Sequence, residues 1–272
     1  MQPFPEPRVV RTRYPVLLMH GFGLLAALRR GGHLHTTAMS LRQHGVLAYA
    51  PNVAPYSTVS IRAEQWAARI EQILAETGAS QLNVIAHSMG GLDARYLVSV
   101  TGLHEVVATL VTVSAPHFGT SIANHILERP RVLRGLIADA CNWMGSHATE
   151  EVRADFEQAV AELTPHSVRE RFNPRVRDHD SVRYWSYAGR AGRGTDVSIN
   201  PFLIPLNNAL YALEGENDGF VSVESARWGT FLGTVDADHA ATVGLAGVPK
   251  GGNFDSGAFY LSVVEMLARK GF

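Results

Sequence analysis

The chain has a single cysteine in 272 residues, Cys141, so no intrachain disulfide can form and the fold must rest on its core. Cys141 lies on an apolar stripe and reads as a packed thiol rather than a reactive one. Charge imbalance is also missing. With 24 Lys and Arg against 25 Asp and Glu, the net charge of −1 offers no field for nucleic acid or for steering to an anionic membrane. No apolar run approaches the roughly 20 residues of a membrane span. Met1 to Pro7 is proline-rich and lacks the basic-then-apolar pattern of a secretory leader. The expectation is a soluble, cytoplasmic chain; secretion of a chain whose leader is absent or uncleaved is the alternative. Serine- or proline-rich linkers, low-complexity tracts and fixed-period repeats are absent too, which favours one domain with an insertion over two small ones. Oligomeric state leaves no mark in these features.

What the sequence does contain is apolar residues, 46% of the total, enough for a large core. Six short apolar runs are separated by helical patterns: Tyr14 to Met19, Val46 to Ala50, Leu82 to Ala86, Thr109 to Val113, Arg183 to Ala188 and Thr230 to Val235. This alternation predicts an α/β fold, a mostly parallel sheet with helices on both faces. Ile61 to Thr77 carries Trp66, Ile70, Ile73 and Leu74 at helical spacing, and Gly78 supplies a C-cap. The segment from about 121 to 180 is longer than one crossover helix requires. In it, Val132, Leu133, Leu136, Ile137, Ala140, Cys141 and Met144 form one stripe, and a second helix is expected over Glu150 to Leu163. The pair reads either as a movable cover or as helices packed permanently on the core, and pattern alone does not separate the two.

The chemistry gathers around Ala86-His87-Ser88-Met89-Gly90, between the third apolar run and the helix-like stretch Gly91 to Leu97. A serine on a sharp strand-to-helix turn projects its hydroxyl above the sheet, provided that the flanking residues are small enough for the backbones to pass. Ala86 stands where the usual pattern has glycine, the smallest possible departure. Upstream, the first run leads into His20-Gly21-Phe22-Gly23, a loop able to supply a backbone N–H. Downstream come Ser114-Ala115-Pro116-His117-Phe118-Gly119-Thr120, then Glu216-Asn217-Asp218-Gly219-Phe220-Val221, then Asp236-Ala237-Asp238-His239-Ala240. Serine, acid and histidine thus follow in the order of an α/β-hydrolase. For the acid, Asn217-Asp218-Gly219 gives a turn able to aim a carboxylate inward, with Asp196, Glu216 and Asp236 as competitors. His87 reads as part of the packing of the turn, His20 as a support for its loop and His117 as a neighbour of the insertion's hinge. His33 and His35 form an H-x-H without further ligands at zinc spacing, so no metal site is assigned.

Across roughly residues 14 to 265 these segments, with Val59 to Gln65 and Tyr184-Trp185-Ser186-Tyr187, resemble the bacterial triacylglycerol lipases of the α/β-hydrolase superfamily. The resemblance implies that Ser88 is the nucleophile, Asp218 the acid and His239 the base, and that the insertion is a lid. The oxyanion donors are then the backbone N–H groups of Phe22 and Met89. Many members bind calcium through a carboxylate before the acid and another two residues after the histidine. Here the second position is Ala241 and only Asp196 matches the first, so calcium is doubtful and no cofactor is expected. The implied activity is hydrolysis of acylglycerols or other fatty esters, possible at a lipid–water interface. A thioesterase, amidase or acyltransferase using the same triad is the alternative within the fold, and a silent binding protein the alternative outside catalysis.

Overall fold

A computed structural model describes residues 8–22, 34–130, 155–244 and 254–272. Six strands, β1 (Val16–Met19), β2 (Ala48–Tyr49), β3 (Leu82–His87), β4 (Val107–Val113), β5 (Arg183–Gly189) and β6 (Thr230–Val235), form one sheet in the order β2-β1-β3-β4-β5-β6. All five pairings are parallel. Each strand falls on one of the six apolar runs. β3 and β4 are buried along their whole length, as central parallel strands covered on both faces must be. β6, at the edge, alternates exposed and half-buried residues.

The pleat sends alternate side chains into two helix layers. Leu17, Met19, Val84, Ala86 and Leu110 pack against Trp66 and Ile70 of α2 (Val59–Thr77) and Ala94 and Leu97 of α3 (Gly90–Ser99). Val16, Leu18, Ile85, Val111 and Val113 pack against Leu41 of α1 (His35–Gln43) and Tyr260, Val263 and Leu267 of the last helix, Ser256–Arg269. α2 ends as its sequence indicates: Gly78 turns left-handed at φ 66° and returns its N–H to the Leu74 carbonyl.

Within the insertion, α4 (Ser121–Leu127) is capped by the Thr120 hydroxyl. The next helix, α5, spans Phe156–Glu162, and the Asp155 carboxylate caps it by accepting the Gln158 N–H. Residues 150–154 of the helix expected over 150–163 lie outside the described residues, as do the 132–144 stripe with Cys141, and His33. α6 (Ile204–Glu214) lies between β5 and β6. Among the described residues no helix is long and apolar enough to cross a membrane.

Candidate active site

β3 ends at His87 and the chain turns at Ser88, whose φ of 56° is a left-handed value that a non-glycine residue adopts only under strain. Neighbouring segments hold it there: the Ser88 N–H donates to the Val113 carbonyl at 3.0 Å, and the Ser88 carbonyl accepts the Gly91 N–H at 2.9 Å as α3 begins. The small residues are required by contact. A Cβ on Gly90 would lie 2.8 Å from the His20 carbonyl oxygen, and one on Gly91 2.5 Å from the Ala115 methyl. Ala86 is fully buried within β3, so the departure from glycine is absorbed as core packing. The serine itself remains 8% exposed.

Ser88 is hydrogen-bonded to a histidine 151 residues later: His239 Nε2 lies 3.0 Å from Ser88 Oγ. On the other side of the ring, Nδ1 lies 2.8 Å from Asp218 Oδ2. A carboxylate only accepts, so Nδ1 carries the proton and the Nε2 lone pair faces the serine hydroxyl. Asp218 is fully buried, and its Oδ1 accepts the N–H groups of Phe220 at 3.0 Å and Val221 at 2.8 Å. The turn beneath is built by Asn217, whose Oδ1 accepts the Gly219 N–H and the Asn207 amide of α6, both at 2.8 Å. Gly219 completes it at φ 101°. The competing acids lie elsewhere. Asp236 and Glu216 pair with Arg190 at 2.9 and 3.7 Å, and Asp196 is exposed.

The His20–Phe22 loop is pressed against this turn. A Cβ on Gly21 would lie 2.5 Å from Ser88 Cβ and 2.8 Å from the Met89 nitrogen. Among the described residues neither the Phe22 nor the Met89 N–H meets an acceptor, and Met89 sits at the start of α3, where unpaired N–H groups favour negative charge. The loop is anchored from below by Arg62, which donates to the His20 carbonyl and the Ala54 carbonyl at 2.6 Å each and to Asp93 Oδ2 at 2.8 Å. Both members of this pair are fully buried. Burial pushes the Asp93 carboxyl up to about 6, against the opposing pull of Arg62. His20 Nδ1 meets the Gly21 carbonyl at 2.9 Å and its Nε2 accepts the Val53 N–H at 3.2 Å, fixing the proton on Nδ1. His20 therefore braces the loop, as its position suggests. The Phe22 ring closes an aromatic cluster with Tyr56 and Phe156 at centroid distances of 5.3 and 5.5 Å.

Other singled-out residues take structural places. His117, at the foot of the insertion, is fully buried against Thr112 and beneath Trp228; burial, and then the charge of Arg95, hold it well below 6.5. Sequence reasoning passed over Asp238, which is buried. Its Oδ1 accepts the N–H groups of Ala240 and Ala241 at 3.1 and 2.8 Å, and its Oδ2 accepts that of Asn200 at 2.9 Å. With Ala241 lacking a carboxylate, Asp196 exposed and Asp238 occupied by backbone, the donor set does not fit calcium. Among the described residues no three His, Cys, Asp or Glu side chains gather as metal ligands.

The arrangement can add a serine oxygen to an acyl carbon, move a proton through an oriented imidazole and receive negative charge between two N–H groups. A family model described as domain of unknown function DUF7379 matches residues 4–171. The chain belongs to this family. This DUF7379 protein is 28% identical over 245 residues to a triacylglycerol lipase of Vibrio cholerae serotype O1, covering 82% of the chain and 76% of that lipase. It is 34% identical over 121 residues to a triacylglycerol lipase of Pseudarthrobacter phenanthrenivorans, a match spanning 43% of the chain and 37% of the relative. In fold it is similar to the metagenomic carboxyl esterase MGS0156, with a TM-score of 0.74 and 18% identity over 99% of this chain and 79% of the other. The DUF7379 chain thus has the α/β-hydrolase fold and is similar in sequence to bacterial triacylglycerol lipases.

Proposed function

We propose that the protein hydrolyses carboxylic esters of acylglycerols or other fatty acids, with Ser88 as nucleophile, His239 as proton carrier and Asp218 as its orienting acid. The observation that carries this reading is the continuous hydrogen-bonded line from Ser88 Oγ through His239 to buried Asp218, beside two backbone N–H groups that meet no acceptor among the described residues. In acylation, Ser88 Oγ bonds to the acyl carbon as His239 Nε2 takes its proton. The tetrahedral oxyanion collapses, breaking the bond to the alcohol oxygen, which leaves with that proton. In deacylation, water adds to the acyl carbon and gives a proton to His239; the carbon–Oγ bond breaks and the proton returns to Ser88. Donors preset at the oxyanion position are worth about 3–4 kcal/mol each in such chemistry. The relatives named as lipases and esterases support the ester as substrate.

Segment 121–180 acts in this reading as the cover that meets a lipid–water interface, gating entry to the serine. The test is turnover of p-nitrophenyl esters from acetate to palmitate, with thioester and amide analogues beside them. Ester cleavage that exceeds thioester and amide cleavage supports the reading. Preference for the thioester or the amide, or no turnover of any, overturns it.

A further inference from the structure

Among the described residues, two hydrogen-bonded ties join the histidine loop to the serine turn. The first tie is the bond between Ser88 Oγ and His239 Nε2. The second runs beside it. His87 Nε2 lies 3.0 Å from Thr242 Oγ1, and Thr242 Oγ1 lies 2.8 Å from the backbone carbonyl oxygen of His239. His87 is 4% exposed and Thr242 fully buried, so water does not compete for these groups. The far side of the loop is braced separately: Asp238 holds the N–H groups of Ala240, Ala241 and Asn200, and its carbonyl accepts the Thr242 N–H at 3.0 Å.

Counting protons fixes the direction of the second tie. A threonine hydroxyl has one proton, and the His239 carbonyl can only accept it. Thr242 Oγ1 must therefore receive a hydrogen from His87, which places a proton on His87 Nε2. The rings of His87 and His239 are 4.5 Å apart at 47°, close enough for a charged His87 to oppose the positive charge that His239 acquires in turnover. A neutral His87 with its proton on Nε2 meets both requirements.

The two ties differ in chemistry. Acylation consumes the first, because a serine oxygen bonded to an acyl carbon has no proton to share with His239. No atom of the second reacts. We infer that His87 and Thr242 are positioning residues that hold His239 in place while Ser88 is acylated, so that the imidazole stays aligned to take a proton from the attacking water. This rests on the two-step ester reading above. It predicts that loss of the pair slows deacylation far more than acylation, since during acylation the Ser88–His239 bond still aligns the ring.

Stopped-flow release of p-nitrophenol from p-nitrophenyl butyrate, with active sites counted by a fluorophosphonate, separates the steps. Thr242→Val and His87→Phe remove the hydroxyl and the ring N–H. Each should leave the acylation rate within about 3-fold of wild type and lower steady-state turnover by about 10–100-fold, the range set by losing one oriented buried hydrogen bond, so that a burst near one equivalent appears. Thr242→Ser keeps a hydroxyl and His87→Gln keeps an N–H donor at similar reach, and both should recover turnover. Equal slowing of acylation and deacylation, unchanged rates, or a burst that His87→Gln fails to abolish would overturn the inference. If Thr242→Val does not fold, the His87→Phe and His87→Gln pair decides alone. A wild-type enzyme that neither turns over the ester nor takes up fluorophosphonate refutes the ester reading instead.

Discussion

Gly21→Ala is the sharpest perturbation of the site that leaves every reacting side chain in place. Its new methyl would start 2.5 Å from Ser88 Cβ and 2.8 Å from both the His87 carbonyl oxygen and the Met89 nitrogen. Carbon atoms settle about 3.5–4.0 Å apart, so the loop must back away from the turn by about 1 Å. It cannot do so freely, because Arg62 grips the His20 carbonyl at 2.6 Å and His20 itself grips the Gly21 carbonyl. An oxyanion donor works at about 2.7–3.1 Å, and a further ångström removes it, a loss that costs about 10²–10³ in kcat. Overpacking adds about 1–3 kcal/mol of destabilisation. Gly78→Ala is the control: its φ of 66° strains an alanine, but nothing lies within 4 Å of the added Cβ, so it should lower thermal stability and leave kcat alone. The assay is kcat and KM on p-nitrophenyl butyrate, normalised to folded protein. In this assay kcat should fall by about 10²–10³ with KM little changed, the mark of an interaction made in the transition state. A Gly21→Ala enzyme with wild-type kcat would refute the placement of the oxyanion donor at Phe22.

Asp218→Asn should cut kcat by about 10⁴ on a soluble short ester, because an amide that keeps the Phe220 and Val221 N–H bonds turns its own N–H toward His239 and forces the wrong tautomer; Asp196→Asn should stay near wild type, and the reverse pattern would show the acid misassigned. Buried His117 stays neutral in the folded state while the unfolded chain gains its proton near 6.5, so the fold loses stability as pH falls below 6.5, by up to about 1.4 kcal/mol per pH unit. Urea unfolding at several pH values should show a shallower decline for His117→Gln, and parallel declines would contradict this. Activity and melting temperature should survive EDTA, since Ala241 stands where a calcium ligand would be needed and the buried carboxylate of Asp238 is taken up by backbone N–H groups; a calcium-reversible loss would count against that reading.

The sheet was legible because its strands are short apolar runs, the central β3 and β4 buried on both faces, and each strand falls on one of those runs. The edge strand β2 shrank from the expected 46–50 to two residues, Ala48 and Tyr49, since only these reach the ladder on β1. Ser88, Asp218 and His239 were legible because sharp turns need particular small neighbours, Gly90 and Gly219 among them, and those turns leave local patterns. The supports were not. Arg62 and Asp93 are 31 residues apart and meet through packing. Asn207 reaches Asn217 from within α6, ten residues upstream. His87 reads locally as packing, yet its partner Thr242 lies 155 residues away. Asp238 left no local mark because its partners are backbone N–H groups, which carry no residue identity.

Intact-mass analysis with a fluorophosphonate, followed by peptide mapping, tests the central assignment most directly. Wild-type protein should gain one adduct, located on Ser88, and lose ester hydrolysis in proportion. Ser88→Ala should gain none and retain at most the roughly 10³–10⁴-fold advantage over water that binding and oxyanion donors supply without a nucleophile. An adduct on another residue, or labelling and turnover that persist in Ser88→Ala, would contradict the account.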